Sequence, residues 1–297
     1  MSDLIAYKSN ALVEASYKLT LQEQRFLLLC ISRLKSGADA ELQKTMTITA
    51  AEYFDSFPDM GRKNAEVQLQ EAIDRLWDRS IILKNDEKRE EFRWIQYRAQ
   101  YAKGEAKARI TFSDAVMPYL TQLKGQFTRV VIKNISGLSS SYSIRIYEFL
   151  QQFRSTGERI IALNDFRSML GIENKYKQFR DLNKILIKPC VDELNKKSDL
   201  AVTVETIKKG RTVVACIFAS RKTNRSRWRS KIDFKAPKTL PAAFFCVSSA
   251  KVLLKWKLRQ KRSNAAKKEP PIFGGGKTKL CCVCFLHSSL SMNIEEH

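Results

Sequence analysis

Histidine is almost missing from this sequence. His287 and His297 are the only two, and both lie near the C-terminal end. Everything before them offers no imidazole for a catalytic dyad or triad, and none for a histidine-ligated metal. That sets aside nicking enzymes, which hold their metal through a histidine pair, and tyrosine recombinases, which usually place a histidine beside their arginines. No spaced carboxylate cluster replaces the imidazoles, so a primase-like enzyme is set aside too. No enzyme activity, cofactor or metal is expected. Long apolar runs are also absent. The longest candidate, Ala242–Ala250, is broken by Ser248 and Ser249, far short of the ~18 residues that span a bilayer. The opening MSDLIAYKSN lacks the charged-then-apolar pattern of a secretory signal. The expectation is a soluble cytoplasmic protein with no membrane partner. Of the seven cysteines, Cys30, Cys190 and Cys216 sit inside apolar patterns and read as reduced core residues.

What the sequence has in excess is positive charge. Its 297 residues are 44% hydrophobic and 10% aromatic, enough for two packed domains. The formal net charge is +22. Residues 1–220 carry 35 Lys and Arg against 27 Asp and Glu, whereas residues 221–297 carry 18 against 4. A mildly basic body thus precedes a strongly basic tail. A field of this sign favours a polyanionic partner, nucleic acid before anionic membrane.

The body repeats one plan. In the first half, Leu21–Leu34 reads as a helix with Thr20 as N-cap and Glu23 at the capping-box position. Thr45–Thr49 is a short strand and Ala50–Phe57 a short helix. Asn64–Trp77 is a longer helix, with Val67, Leu69, Ile73 and Leu76 as its inner residues. Phe92–Tyr101 and Lys107–Phe112 are strands joined through Lys103-Gly104. Ser113–Lys124 is a helix and Thr128–Ile132 is extended. In the second half, Ser141–Phe153 is a helix and Arg159–Leu163 a strand. Asn164 caps Asp165–Leu170, and Gly171 stops it. Tyr176–Leu194 is a long helix, and the strands Val202–Ile207 and Thr212–Phe218 form a hairpin. Ile73-Asp74-Arg75-Leu76 followed by Ser80 matches Val191-Asp192-Glu193-Leu194 followed by Ser198 at identical spacing. The repeat is too long for a solenoid and indicates duplicated domains. Three helices plus a hairpin is the plan of a winged helix.

The third helix of the second half is amphipathic. At ~100° per residue, Phe179, Leu182, Leu186 and Cys190 share one arc, while Lys177, Arg180, Asp181, Lys184 and Lys188 share the opposite arc. The cations crowd the N-terminal half, where they oppose the helix dipole and where a recognition helix meets bases. Gln178 and Arg180 carry amide and guanidinium groups that pair with adenine and guanine edges. Pro189 should bend the helix, because it lacks a donor and crowds the carbonyl of Ile185. Lys208, Lys209 and Arg211 around Gly210 read as a wing that reaches phosphates or a minor groove, or as a soluble charged turn. Arg62, Lys63 and Asn64 open the corresponding first-half helix, with Gln68 one turn on; Glu66, Glu71 and Asp74 make that helix the weaker binder. Ser139, Ser140 and Ser141 open the helix before Arg145. They read either as a phosphate clamp or as simple capping, and Arg145 as a companion on the DNA backbone or as partner to a carboxylate.

The tail contains motifs that fail on inspection. PIFGGGKTK has Pro271 where a phosphate loop begins with glycine, and no βαβ unit surrounds it. Cys281, Cys282, Cys284 and His287 are too crowded to close a zinc tetrahedron. Arg225, Arg227 and Arg229 around Trp228 could bind phosphates and stack on a base, or form a disordered basic arm. Lys251–Arg262 could form a basic amphipathic helix, but an unfolded extension is favoured.

Four stretches carry a family resemblance. They are Ser9-Asn10-Ala11-Leu12 with Leu19-Thr20-Leu21 and Gln24-Arg25; Gly137-Leu138-Ser139-Ser140 through Ile144-Arg145-Ile146-Tyr147-Glu148; Phe179-Arg180-Asp181-Leu182 through Leu186-Ile187-Lys188-Pro189 to Asn195; and Ile207-Lys208-Lys209-Gly210-Arg211 leading to Ile217-Phe218. Together they resemble the theta-type plasmid replication initiators of the RepA/RepE/RepB kind, which bind directly repeated origin sequences called iterons. The resemblance runs from about residue 3 to residue 222. It implies an α+β fold of two tandem winged-helix domains. Residues 1–132 would dimerise and make weaker DNA contacts, 133–222 would read the iteron, and 223–297 would be a basic, disordered tail outside the family. It also implies monomers that open the origin and recruit the host initiator and replicative helicase, and dimers that repress their own gene. A dimeric transcriptional repressor without initiator activity is the other reading, and it would use the same surface.

Overall fold

The computed structural model describes residues 4–34, 43–84, 88–100, 106–123 and 125–223. The Lys103-Gly104 turn and the tail motifs beyond residue 223 lie outside the described residues.

The first half opens with β1 (Ile5–Ser9) and α1 (Asn10–Glu14), whose first turn is capped by the Ser9 hydroxyl accepting from the Leu12 N–H at 3.2 Å. Next comes α2 (Leu21–Ile31), which carries the expected capping box. The Thr20 hydroxyl accepts from the Glu23 N–H, and the Glu23 carboxylate accepts from the Thr20 N–H at 2.8 Å. A second such box, Thr49 with Glu52, joins β2 (Thr45–Thr49) to α3 (Ala50–Ser56). The chain continues through α4 (Ala65–Trp77), β3 (Ser80–Lys84), β4 (Arg89–Arg93), β5 (Ile95–Gln100) and β6 (Lys107–Phe112). It closes with α5 (Met117–Thr121), β7 (Phe127–Val131) and α6 (Ile132–Ile135).

The second half contains α7 (Ser141–Gln152), β8 (Glu158–Ala162), α8 (Leu163–Met169) and α9 (Phe179–Leu182). A π-helical turn, Asn183–Ile187, leads into α10 (Lys188–Lys197), followed by β9 (Leu200–Lys209) and β10 (Thr212–Lys222).

Duplication is plain in the sheets. One three-stranded sheet has the order β2-β6-β5 and the other β8-β10-β9, all antiparallel. In each, the strand between the first and second helices pairs with the last strand of the hairpin. Both halves are therefore winged helices. The pairs β1–β7 and β3–β4 belong to the first half alone. One continuous apolar core runs through both, and Cys30, Cys190 and Cys216 are buried in it as free thiols.

Several sequence expectations are corrected. The span Phe92–Tyr101 is divided at Trp94, whose buried indole meets Tyr17 edge-on at 5.1 Å. Residues 114–116 form a turn, so α5 is shorter than Ser113–Lys124. Asn164 lies inside α8, with Ala162 at the cap position. Val67, expected inside, is 55% exposed, while Leu69, Ile73 and Leu76 are buried. The third helix of the second half starts at Phe179 and not at Tyr176, and it runs to Lys197.

Pro189 shapes that helix as its chemistry requires. It has no N–H to give to the preceding turn, and the backbone widens into the π turn just before it. The extra residue turns two consecutive side chains, Leu186 and Ile187, into the core together. An ideal 3.6-residue wheel places only Leu186 there.

Candidate nucleic-acid interface

The approach to α9 is held from behind by α8. Arg167 donates from Nη2 to the carbonyls of Tyr176 and Lys177, at 2.8 and 3.0 Å. Tyr176 takes a left-handed backbone, φ +52°, as the chain turns into the helix. Lys177 and Gln178 therefore precede the helix; Gln178 occupies the cap position without a capping bond. Both are exposed, as are Arg180, Lys184 and Lys188 on the helix itself; Asp181 is half-buried, 3.6 Å from the Arg180 Nε. The other side of the helix, with Leu182, Leu186, Ile187, Cys190 and Leu194, is buried. Asn183, which the ideal wheel did not single out, is also exposed and brings a second side-chain amide to this region.

The wing is a tight hairpin. Lys209 pairs with Thr212, leaving Gly210 and Arg211 at the tip, and Gly210 takes φ +65°. Lys208, Lys209 and Arg211 are exposed.

In the first half, Arg62, Lys63 and Asn64 form an exposed 3₁₀ turn leading into α4. Gln68 is half-buried, and its Oε1 accepts from Gln22 Nε2 at 3.0 Å, so part of its amide is committed to α2. The acids expected to weaken this helix have basic neighbours: Asp74 meets Arg98 at 2.7 Å and Glu71 meets Arg75 at 2.8 Å.

At the serine-rich start of α7 the phosphate-clamp reading is corrected for Ser139, whose donors are already taken. Ser139 gives both its N–H and its hydroxyl to Glu193 Oε1, at 2.7 and 2.6 Å, and Lys197 closes on the same oxygen at 3.0 Å. Burial works to raise the Glu193 carboxyl, but these donors outweigh it and pull the group down to about 2. Ser140 is at the cap position of α7 without a side-chain capping bond, and its hydroxyl lies 4.0 Å from the Cys190 sulfur; Ser141 begins the helix half-buried.

Arg145 is corrected as a DNA contact for a stronger reason. It is 4% exposed. Its Nη2 donates to the carbonyls of Val13, Ala15 and Met169 at 3.0, 3.0 and 3.1 Å, and its Nη1 to Glu148 at 2.8 Å and to the Tyr17 hydroxyl. Lys8 meets the other oxygen of Glu148. The carboxylate-partner reading of Arg145 is the one observed.

Among the described residues, no group of three or more His, Cys, Asp or Glu stands close enough to hold a metal ion, and no helix is long and apolar enough to cross a membrane.

Comparison with known proteins places this geometry. A family model described as "Initiator Replication protein, WH1" matches residues 5–151, and one described as "Initiator Rep protein, WH2" matches residues 162–219. A curated "Replication initiation protein" of Escherichia coli is 30% identical over 226 residues, covering 73% of this chain and 70% of that protein. The chain belongs to the initiator replication protein family. The two family models, named for two winged-helix domains, match the chain in the order of its two winged helices, the first match extending through most of α7. A second Escherichia coli relative, an "Uncharacterized 27.6 kDa protein", is 28% identical over 209 residues, covering 65% of this chain and 85% of that protein. Among solved structures, the Pi initiator protein in complex with iteron DNA shares the fold, with a TM-score of 0.64 at 19% identity, covering 76% of this chain and 99% of that chain.

Proposed function

We propose that this chain is a plasmid replication initiator that binds directly repeated origin sequences in double-stranded DNA. The observation that supports this most strongly is the doubled third helix. Each winged helix buries one side of that helix and leaves basic and amide side chains exposed at its start: Arg62, Lys63 and Asn64 before α4, and Lys177, Gln178, Arg180, Lys184 and Lys188 along α9 and into α10. A cationic helix start above a packed hydrophobic base is the arrangement that enters a major groove. The wing cations Lys208, Lys209 and Arg211 would meet phosphates beside it.

Residues 133–222 make the main readout in this proposal, and residues 1–132 the weaker contacts and self-association. Two reading helices in one chain favour initiation over simple repression, because one monomer then spans a whole repeat. Origin opening, recruitment of host initiator and helicase, and repression by a dimer extend the proposal by family resemblance.

The test is a salt series on a duplex carrying whatever direct repeats are found in the DNA beside the gene. Log affinity should fall with log salt at a slope of roughly −0.9 per phosphate neutralised. A flat response, or equal binding to a scrambled duplex, would overturn the proposal.

A further inference from the structure

Two large aliphatic side chains stand out on the third helices. Val67 on α4 is 55% exposed, and Ile185 in the π turn between α9 and α10 is 56% exposed. The other exposed large apolar residues among the described ones, Leu4, Tyr97 and Phe127, lie on strands or beside them. Val67 and Ile185 correspond. They are 118 residues apart, the spacing that also relates Ile73-Asp74-Arg75-Leu76 to Val191-Asp192-Glu193-Leu194. Each stands nine residues before a fully buried leucine, Leu76 or Leu194. Each domain thus presents one β-branched side chain at the same register of the same element.

Their surroundings select the partner. Val67 is flanked in sequence by Lys63, Asn64, Glu66, Gln68 and Glu71, and Ile185 by Arg180, Asp181, Lys184 and Lys188. A protein partner is a poor fit, since one isolated aliphatic side chain among charged and amide groups buries too little apolar surface for a stable interface. A matching partner is polyanionic outside and offers a small apolar group within. The major groove of DNA has that composition, because thymine displays its 5-methyl group there beside the hydrogen-bonding edges. We propose that Val67 and Ile185 each pack on a thymine methyl, one in each half of the bound repeat, and so set base preference where no hydrogen bond does. This inference rests on the DNA-binding reading above.

The test separates the two. The full chain first enriches its preferred duplex from a random library, and each thymine of that duplex is then replaced singly by deoxyuridine, which lacks only the methyl. At least one position in each half should lose affinity roughly four-fold, the ~0.8 kcal/mol of one buried carbon converted at ~1.4 kcal/mol per decade. Ile185→Ala should erase that sensitivity in one half and Val67→Ala in the other, each leaving the remaining half sensitive. Both side chains are exposed, so circular dichroism should show both variants folded. A chain that enriches no duplex overturns the DNA-binding reading and this inference with it. A chain that enriches a duplex but binds uracil as well as thymine everywhere overturns this inference alone. So does uracil sensitivity that survives in both variants.

Discussion

Glu193 shows how one residue can convert a functional-looking sequence into scaffold. The serines before α7 have the donors that a phosphate needs, but Ser139 and Lys197 spend theirs on this carboxylate. Its depressed value has a consequence for stability. A carboxyl whose folded pKa lies below its unfolded one stabilises the fold above the unfolded value and stops doing so as pH falls through the folded value. For Glu193 that window runs from the ordinary 4.5 down to about 2. Glu193→Gln should therefore destabilise by about 1 kcal/mol at neutral pH, a figure kept small because solvent screens part of the interaction. Urea titrations of both proteins should converge between pH 4.5 and 2. A gap that stays constant across that range would contradict the assignment. Nothing in the local sequence revealed this pairing, since Ser139 and Glu193 are far apart in the chain. Arg145 was more legible: Glu148 stands three residues on, the spacing of a helical ion pair.

At the scale of elements, helix and wing should fail differently. Arg180→Ala with Lys184→Ala removes exposed side chains from a helix whose buried side is untouched. Specific binding to the repeats should be lost, with each bidentate base contact worth ~1–3 kcal/mol, while the urea midpoint stays put. Replacing Lys208, Lys209 and Arg211 with Ala should weaken binding about equally on all sequences and flatten the salt slope by ~1 for each phosphate no longer neutralised. Mobility shifts on specific and scrambled duplexes at several salt concentrations distinguish the two. The elements themselves were legible where local chemistry defines them. The Thr20–Glu23 box and the Gly210 turn are written in a few adjacent residues. β1 was not seen, because it takes its identity from a distant partner, β7, more than 100 residues away, and β3 with most of β4 was missed although the two pair with each other as neighbours in the chain. β1 also disguises itself, for its inward positions are Ala6 and Lys8, and a buried lysine breaks the alternation that marks a strand. The exposed Val67 was misplaced by periodicity alone, and the burial of Ile187 needed the π turn, which no 3.6-residue wheel contains.

The two winged helices are joined along a polar seam of which the sequence showed only the Arg145–Glu148 pair. Lys8 of β1 and the Tyr17 hydroxyl, from the first half, meet Arg145 and Glu148 of α7, from the second. Arg159 of β8 reaches Glu14 of α1 at 3.0 Å, and Arg25 of α2 donates to the carbonyls of Ser136 and Leu138 on the connection between halves. The central cluster has two cations and one anion, all buried. Burial lowers the Lys8 pKa, with Arg145 adding to that and Glu148 opposing it. Burial alone would raise the Glu148 carboxyl, yet Lys8 and Arg145 hold it below its ordinary value. Glu148 is therefore the member the seam can least spare. Glu148→Gln leaves two buried cations facing a neutral amide and should destabilise by ~3–5 kcal/mol. Lys8→Met removes the surplus cation and leaves Arg145 and Glu148 as a balanced pair, so it should cost distinctly less. Urea denaturation of the two variants at neutral pH checks the order, and equal losses would show that charge balance does not govern the seam. Because the seam joins the halves, Glu148→Gln should also split one cooperative transition into two, followed by Trp94 fluorescence in the first winged helix and by amide exchange along α10 in the second. A single transition shifted as a whole would mean that the apolar core alone couples the halves.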